Sequence, residues 1–426
     1  MIDDVGWNDV GYHGSSISTP HMDTLAKEGT KLENYYVAHL CSPSRGMFLT
    51  GKHMIHLGME GGIIMPFERK CLPVNEATIA QELKLKNYST HAIGKWHVGY
   101  YKKACLPNNR GFDTFFGIIG GCADHYTHKN THWWELYRNN ISIAQEYQGH
   151  YSTDLYAREA TNVIRNHDAS KPMFMYLAFQ AAHLPLQAPR KYIDMYSNIE
   201  DPDRRVYAAM VTCMDDAIGN VVDQLREAGL WNNTVLIVST DNGGAKISGN
   251  NWPLKGSKAS LWEGGVRGVA FVTSPFLADH VRGTSNHQLM HVTDWFPTML
   301  HVAGVYSDVI KSMTLDGVNQ WNTISENRQT ERNDVLINLN VNRKVKHVHY
   351  EEPWLDNEHF DVRIKSALRL GNWKLLTGSQ VYKLHACHGV ACQYTSTDDM
   401  ECHYTSTDDM GCQYTSTDDM ISVHIY

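Results

Sequence analysis

Apolar residues in the first 300 positions follow two alternating patterns. Short apolar runs at residues 90–94, 173–179, 234–240 and 269–273 predict strands buried in a sheet. Between them, apolar residues recur at helical spacing. The clearest case is residues 205–228, with Val206, Met210, Ile218, Val222 and Leu225 on one face and Gly229 as the stop. Thr19-Pro20 predicts an N-cap and first helical residue, for a helix through Met22 and Leu25 that ends near Gly29. Residues 76–85 predict another. Such alternation implies a layered α/β domain. The best central strand, residues 234–240, delivers Asp241-Asn242-Gly243-Gly244 at its carboxyl end. Ligands of open α/β sheets collect beyond such ends, which makes these residues the first candidates for a site.

The texture changes after about residue 325. Residues 364–370 and 373–376 predict two antiparallel strands joined at Gly371-Asn372, within a small C-terminal domain over 326–388. Residues 389–426 contain three near-identical decapeptides between 391 and 420. A period of ten is too short for helical solenoids, and one thiol per ten polar residues has no metal-ligand spacing. A disordered low-complexity tail is the expectation.

At 426 residues, with 42% hydrophobic and 20% charged, the chain can bury a large core. The net charge of −8 leaves no basic footprint for nucleic acid. No apolar run approaches the roughly 18 residues of a membrane span. Sequons at Asn87, Asn140 and Asn232 permit glycosylation along a secretory route.

Several short words carry chemistry. Cys41-Ser42-Pro43-Ser44-Arg45 is followed by Leu49-Thr50-Gly51-Lys52. Asp3-Asp4-Val5-Gly6-Trp7-Asn8-Asp9 opens the chain, and Gly94-Lys95-Trp96-His97-Val98-Gly99 follows a strand. His183 precedes Pro185, Thr240-Asp241-Asn242-Gly243-Gly244 ends the central strand, and Lys258 precedes Trp262-Glu263-Gly264-Gly265. Taken singly, each has an ordinary reading as a turn, an N-cap or a satisfied polar residue. Together they resemble the type I sulfatase family, most closely its arylsulfatase B group, whose members remove 4-sulfate from N-acetylgalactosamine. Residues 106–117 (Leu-Pro-Asn-Asn-Arg-Gly-Phe-Asp-Thr-Phe-Phe-Gly), 250–254 and 368–378 add to that subgroup resemblance.

The resemblance implies an alkaline-phosphatase-like layered sandwich, with a large mixed sheet between helices and a small C-terminal α+β domain built on an antiparallel sheet. Residues 1–325 would form the sulfatase catalytic domain. Cys41 would be oxidised by the formylglycine-generating enzyme, and the hydrated aldehyde would attack sulfur. Asp3, Asp4, Asp241 and Asn242 would hold one Ca²⁺ together with residue 41. Lys95 and His183 would bind sulfate, and His97 would assist the second hydroxyl. His183 or Lys258 would protonate the leaving alcohol; Lys255 is the nearer rival to Lys258, but the spacing to the Trp-Glu-Gly-Gly word favours Lys258. Arg45 would buttress residue 41. Cys71 and Cys105 match a disulfide of that group, worth about 2–4 kcal/mol.

The implied substrate is a sulfated glycosaminoglycan or an aryl sulfate, and the implied location of the complete protein is lysosomal or secreted. The start at Met1-Ile2 carries no signal peptide, and the chain departs from the family pattern at both ends. The family's first strand is expected to be largely missing, with Asp3 and Asp4 on a frayed terminus. Two alternatives follow: an inactive sulfatase-like binder of sulfated glycans, and a phosphoesterase of the wider superfamily. Cys41 in its motif speaks against the second.

Overall fold

The computed structural model describes residues 1–131, 133–344, 364–378, 383–385, 391–394, 400–403 and 422–425. Strands β1 (Thr30–Leu32), β2 (Ser89–Gly94), β3 (Thr114–Ile118), β4 (Leu136–Arg138), β5 (Ile141–Ser142), β6 (Met173–Ala178), β7 (Leu236–Ser239), β8 (Ala270–Thr273) and β9 (Thr284–Asn286) build the main sheet. They fall into two sets, ordered β5-β4-β3-β2-β6 and β7-β8-β1-β9. β2 runs parallel to β3 and β6, whereas β8 is antiparallel to β7 and β1.

Residues 1–3 join the two sets. The Met1 amine donates to Leu177 O at 2.6 Å, and Phe179 N donates to Met1 O at 3.0 Å. On the other side Ile2 N donates to Ser239 O at 2.9 Å, and Asp241 N donates to Ile2 O at 3.2 Å. Asp3 N continues the β6 side to Ala181 O at 3.0 Å. This corrects the expected frayed terminus. Asp3 is 0% exposed, because the three residues ahead of Asp4 satisfy both flanking backbones and cannot peel off without exposing them. Behind residues 1–3 the slot between β6 and β7 stays open as a cavity of about 640 Å³, lined by Met173, Met175, Leu236 and Val238 among others.

Helices α1 (Pro20–Glu28), α2 (Cys41–Thr50), α3 (Ser152–Arg165) and α4 (Pro202–Glu227) cover the sheet. One core, with Leu25, Tyr156, Tyr207 and Phe271, joins α1, α3 and α4 to one face. A second, with Phe48, Trp96, Tyr176 and Trp295, packs α2 against the other. This is the layered sandwich that the pattern predicts. Pro20 starts α1 as expected, but Thr19 does not cap it; its hydroxyl donates to Asp23 instead.

The C-terminal strands β10 (Asp334–Lys344), β11 (Ile364–Leu370), β12 (Trp373–Thr377) and β13 (Ser422–Ile425) form an antiparallel sheet in that order. The turn at Gly371 has φ 55°, the left-handed region that favours glycine. Val335, Ile337, Ala367 and Leu376 pack on Tyr36, Leu261 and Val266, and buried Lys374 reaches Glu263 at 2.7 Å. The described residues of the tail differ from the disorder expected there. Lys383–His385, Ala391–Tyr394 and Met400–His403 pair as a three-stranded antiparallel sheet. The rest of the repeats lies outside the described residues.

Candidate active site

The site lies at the carboxyl ends of β2, β6 and β7, where residues 3–4, 95–97, 183 and 241–242 leave the sheet. Asp4 turns the chain with a left-handed φ of 55°. Tyr207 fastens that turn, its hydroxyl 2.9 Å from Asp4 O and 2.7 Å from Asp9 Oδ2. Asp9 also accepts from Gly6 N and Asn250 N, both at 2.9 Å. Asp9, the third acidic residue of the opening word, thus ties the Asp3-Asp4 turn to the loop that carries Lys258.

Cys41 is the first residue of α2 and is 1% exposed. The positive end of the helix macrodipole therefore faces the pocket. Its Sγ lies 3.7 Å from Asp3 Oδ1. Burial, and after it the charge of Asp241, pushes the thiol well above its ordinary value. An unmodified Cys41 is accordingly a protonated, poor nucleophile. One helical turn on, Arg45 is fully buried. Its Nε and Nη2 donate to Asp241 Oδ2 at 3.0 and 2.8 Å, and Nη1 donates to Lys95 O at 2.8 Å.

Lys95 Nζ meets Asp3 Oδ2 at 2.5 Å, and Lys258 Nζ meets both oxygens of Asp4 at 2.6 and 2.7 Å. Lys255, the rival, stands outside the site with Nζ 4.1 Å over the Trp262 ring. His183 Nε2 lies 3.9 Å from Asp4 Oδ2. Trp96 points into the core while Lys95 and His97 face the pocket; the backbone reaches left-handed φ 54° at His97 to allow this. Burial first, then Lys95 and Arg45, holds His97 well below its ordinary value. Burial and then Lys258 do the same to His183. Asp4 is driven low; burial opposes this, but Lys258 and His183 outweigh it.

Oxygens of Asp3, Asp4 and Asp241 and the Cys41 sulfur all lie within 4.8 Å of one another. Asn242 Nδ2 donates to Asp4 Oδ1 at 2.7 Å, while its buried Oδ1 has no hydrogen-bond partner. Burial and the facing Asp241 push Asp3 up to about 7, a sign of crowded carboxylates that nearby cations do not fully neutralise. Three carboxylates and an orphaned amide oxygen in a dry cluster are the donor set of a hard divalent cation, so these residues fit calcium. Asp3, Asp4, Cys41, Arg45, Lys95, His97, His183, Asp241, Asn242 and Lys258 therefore converge here, and Lys255 does not. Glu135, Gly120, Gly121 and Tyr207 also belong to the surroundings and carry no recognisable word in the sequence. Only the periodicity of residues 205–228 hinted at Tyr207, and that as core.

A buried cluster of this kind beyond the strand ends of an alkaline-phosphatase-like sandwich defines the class of protein. The family model described as Sulfatase matches residues 1–305, and the chain belongs to the sulfatase family. It is 45% identical to mouse arylsulfatase J over 389 residues, covering 90% of this chain and 64% of that protein. Human N-acetylgalactosamine-6-sulfatase is 30% identical over 78% of this chain and 66% of its own length. The chain thus spans a little under two thirds of the curated relatives it matches. Among solved structures, Ps i-CgsB in complex with k-i-k-neocarrahexaose matches with TM-score 0.76 and 30% identity, over 88% of this chain and 82% of that one. The PsFucS1 sulfatase from Pseudoalteromonas sp. shares the fold at TM-score 0.71 and 23% identity, over 96% and 81%.

The disulfide Cys71–Cys105 is present, with Cα atoms 6.1 Å apart. No helix among the described residues is long and apolar enough to cross a membrane.

Proposed function

We propose that this chain hydrolyses sulfate esters, with residue 41 as its nucleophile once Cys41 is oxidised to formylglycine. The observation that carries this reading is the placement of Cys41. It is a thiol too buried and too protonated to act as itself, at a helix N-terminus that faces Lys95, Lys258 and His183. As formylglycine, residue 41 would supply a hydrated aldehyde, one hydroxyl attacking sulfur and the other later expelling sulfate. Calcium held by Asp3, Asp4, Asp241, Asn242 and residue 41 would supply positive charge at the sulfate oxygens.

The chain's own residues do the rest. Lys95, Lys258 and His183 bind and orient the sulfate group. Neutral His97 accepts the proton of the second hydroxyl, and His183 or Lys258 protonates the leaving alcohol. Arg45 keeps Asp241 and the Lys95 backbone in place. Residues 1–325 serve as the catalytic domain, with 326–388 as a partial C-terminal domain.

The substrate class is a sulfated glycan, with N-acetylgalactosamine sulfate esters as the finer reading. Three observations support it: the arylsulfatase B-like words, the likeness to N-acetylgalactosamine-6-sulfatase, and a similar solved protein that holds a neocarrahexaose. The formylglycine-generating enzyme is the maturation partner. The complete protein works in lysosomes or outside the cell, where exposed Asn87, Asn140 and Asn232 carry glycans. Mass spectrometry of the tryptic peptide containing residue 41, after expression through a secretory route, tests this together with an aryl sulfate assay. Formylglycine with sulfate release supports the reading. Formylglycine without release, or an intact thiol without release, overturns it.

A further inference from the structure

His97 lacks the support usual for a working histidine. Such a ring is normally fixed by a hydrogen bond from one nitrogen to a carbonyl or carboxylate. Here Nδ1 is buried and has no hydrogen-bond partner among the described residues. The other side of the ring rests on backbone. A Cβ built on Gly121 would lie 2.5 Å from His97 Nε2, closer than any side chain could come. His97 N also donates to Ile119 O at 3.3 Å. The segment 119–121 is therefore the floor on which the imidazole lies.

That floor is held by a single buried carboxyl. Glu135, 0% exposed, sits between the Trp133–Trp134 pair and β4. Its Oε2 accepts from Gly120 N at 3.0 Å and its Oε1 from the Trp133 indole at 2.6 Å. A Cβ on Gly120 would come 2.7 Å from Glu135 Oε1, so carboxyl, glycine backbone and imidazole form three stacked layers. Burial raises the carboxyl to about 7, and among the described residues no cation forms an ion pair with it. A group so costly to bury, with no ion-pair partner among the described residues, calls for a role.

We infer that Glu135 is a positioning residue for His97, acting through Gly120 and Gly121 to set the imidazole against residue 41. This rests on the proposed reading of His97 as the base. The carboxyl fixes the Gly120 amide, the amide fixes the height of Gly121, and Gly121 fixes the ring. Displacing the floor should impair proton transfer far more than sulfate binding, since Lys95 and Lys258 do not touch it.

The test uses the full chain, with rates normalised to formylglycine content. In E135A, kcat on an aryl sulfate is expected to fall at least about tenfold with KM within about threefold. E135Q, which keeps an acceptor for Gly120, should restore most of the loss. G121A should lower kcat similarly, and E135A/G121A should be little worse than either single variant. Labelled-histidine NMR supplies a readout that does not need turnover: the His97 ring resonance should move in E135A and return in E135Q. Unchanged kcat and His97 resonance in E135A, or fully additive losses with G121A, overturn the inference. If E135A is insoluble, E135D replaces it, with an expected loss of about threefold to tenfold and the same resonance shift. A wild-type chain that bears formylglycine but has no turnover sinks the functional reading, while the resonance still decides the positioning role.

Discussion

The slot between β6 and β7 has two ends of opposite character. At the carboxyl end, residues 1–3 close the sheet and Asp3, Asp4, Asp241, Arg45 and Lys95 crowd together almost without solvent, nearly every group paired. At the amino end the same two strands face a cavity of about 640 Å³ lined by methionines, leucines and valines. One end is held by directional bonds between charges. The other lacks partners for its apolar walls. The chemistry is thus preorganised by local contacts at the charged end, whereas the apolar end contributes packing alone.

The largest expected effect comes from breaking the charged end. R45M leaves Asp241 and Asp3 buried without their guanidinium, and should cost about 3–5 kcal/mol in urea unfolding. Turnover should drop about a thousandfold. A variant that keeps both would show that the carboxylates need no such partner. The lysines give the next contrast: K258M should lower kcat/KM about a hundredfold, and K255M should stay within about twofold. Equal effects would remove Lys258 from its role.

Calcium sharpens the comparison through pH. Asp3 is raised from 3.8 to about 7 in the metal-free fold, so the folded state keeps a proton that the unfolded chain releases. The contribution of Asp3 to stability without calcium is therefore greatest in acid and falls as pH rises through that window. Calcium requires the ionised carboxylate, so its stabilisation grows over the same range. Melting with calcium and with a chelator should differ more at about pH 7.5 than at about pH 5. Equal differences would place the cation elsewhere.

The smallest expected effect belongs to the apolar end. Met175 and Val238 line the cavity from its two strand walls, away from the charged cluster. M175A and V238A each trim one wall without touching the site. Each should cost about 1–2 kcal/mol in urea unfolding and leave kcat within about twofold. A large change in kcat would show that the two ends are coupled.

Much of this was legible in the sequence. The runs at 173–179 and 234–240 became β6 and β7, and the spacing over 205–228 became α4, because each burial pattern is local. The words around Cys41, Lys95, Asp241 and Lys258 marked the site, since each is a turn or helix start with its own backbone demands. The burial of Asp3 and Asp4 was not legible. It depends on strands about 175 and 238 residues away in sequence, which no local pattern encodes. Glu135 escaped for the same reason; a lone glutamate between Trp134 and Leu136 reads as a surface charge until Gly120 and His97 are seen beneath it.

By itself, the order of residues determined which elements form, which face each buries, and which short segments carry charged and nucleophilic groups. These follow from periodicity and from local backbone chemistry. Only the tertiary structure decided that Lys258 rather than Lys255 reaches Asp4, that residues 1–3 bridge β6 and β7 and so bury Asp3, and that His97 lies on a glycine floor. Those outcomes are fixed by distances between segments far apart in the chain, and they exist only once the sheet has brought its strand ends together.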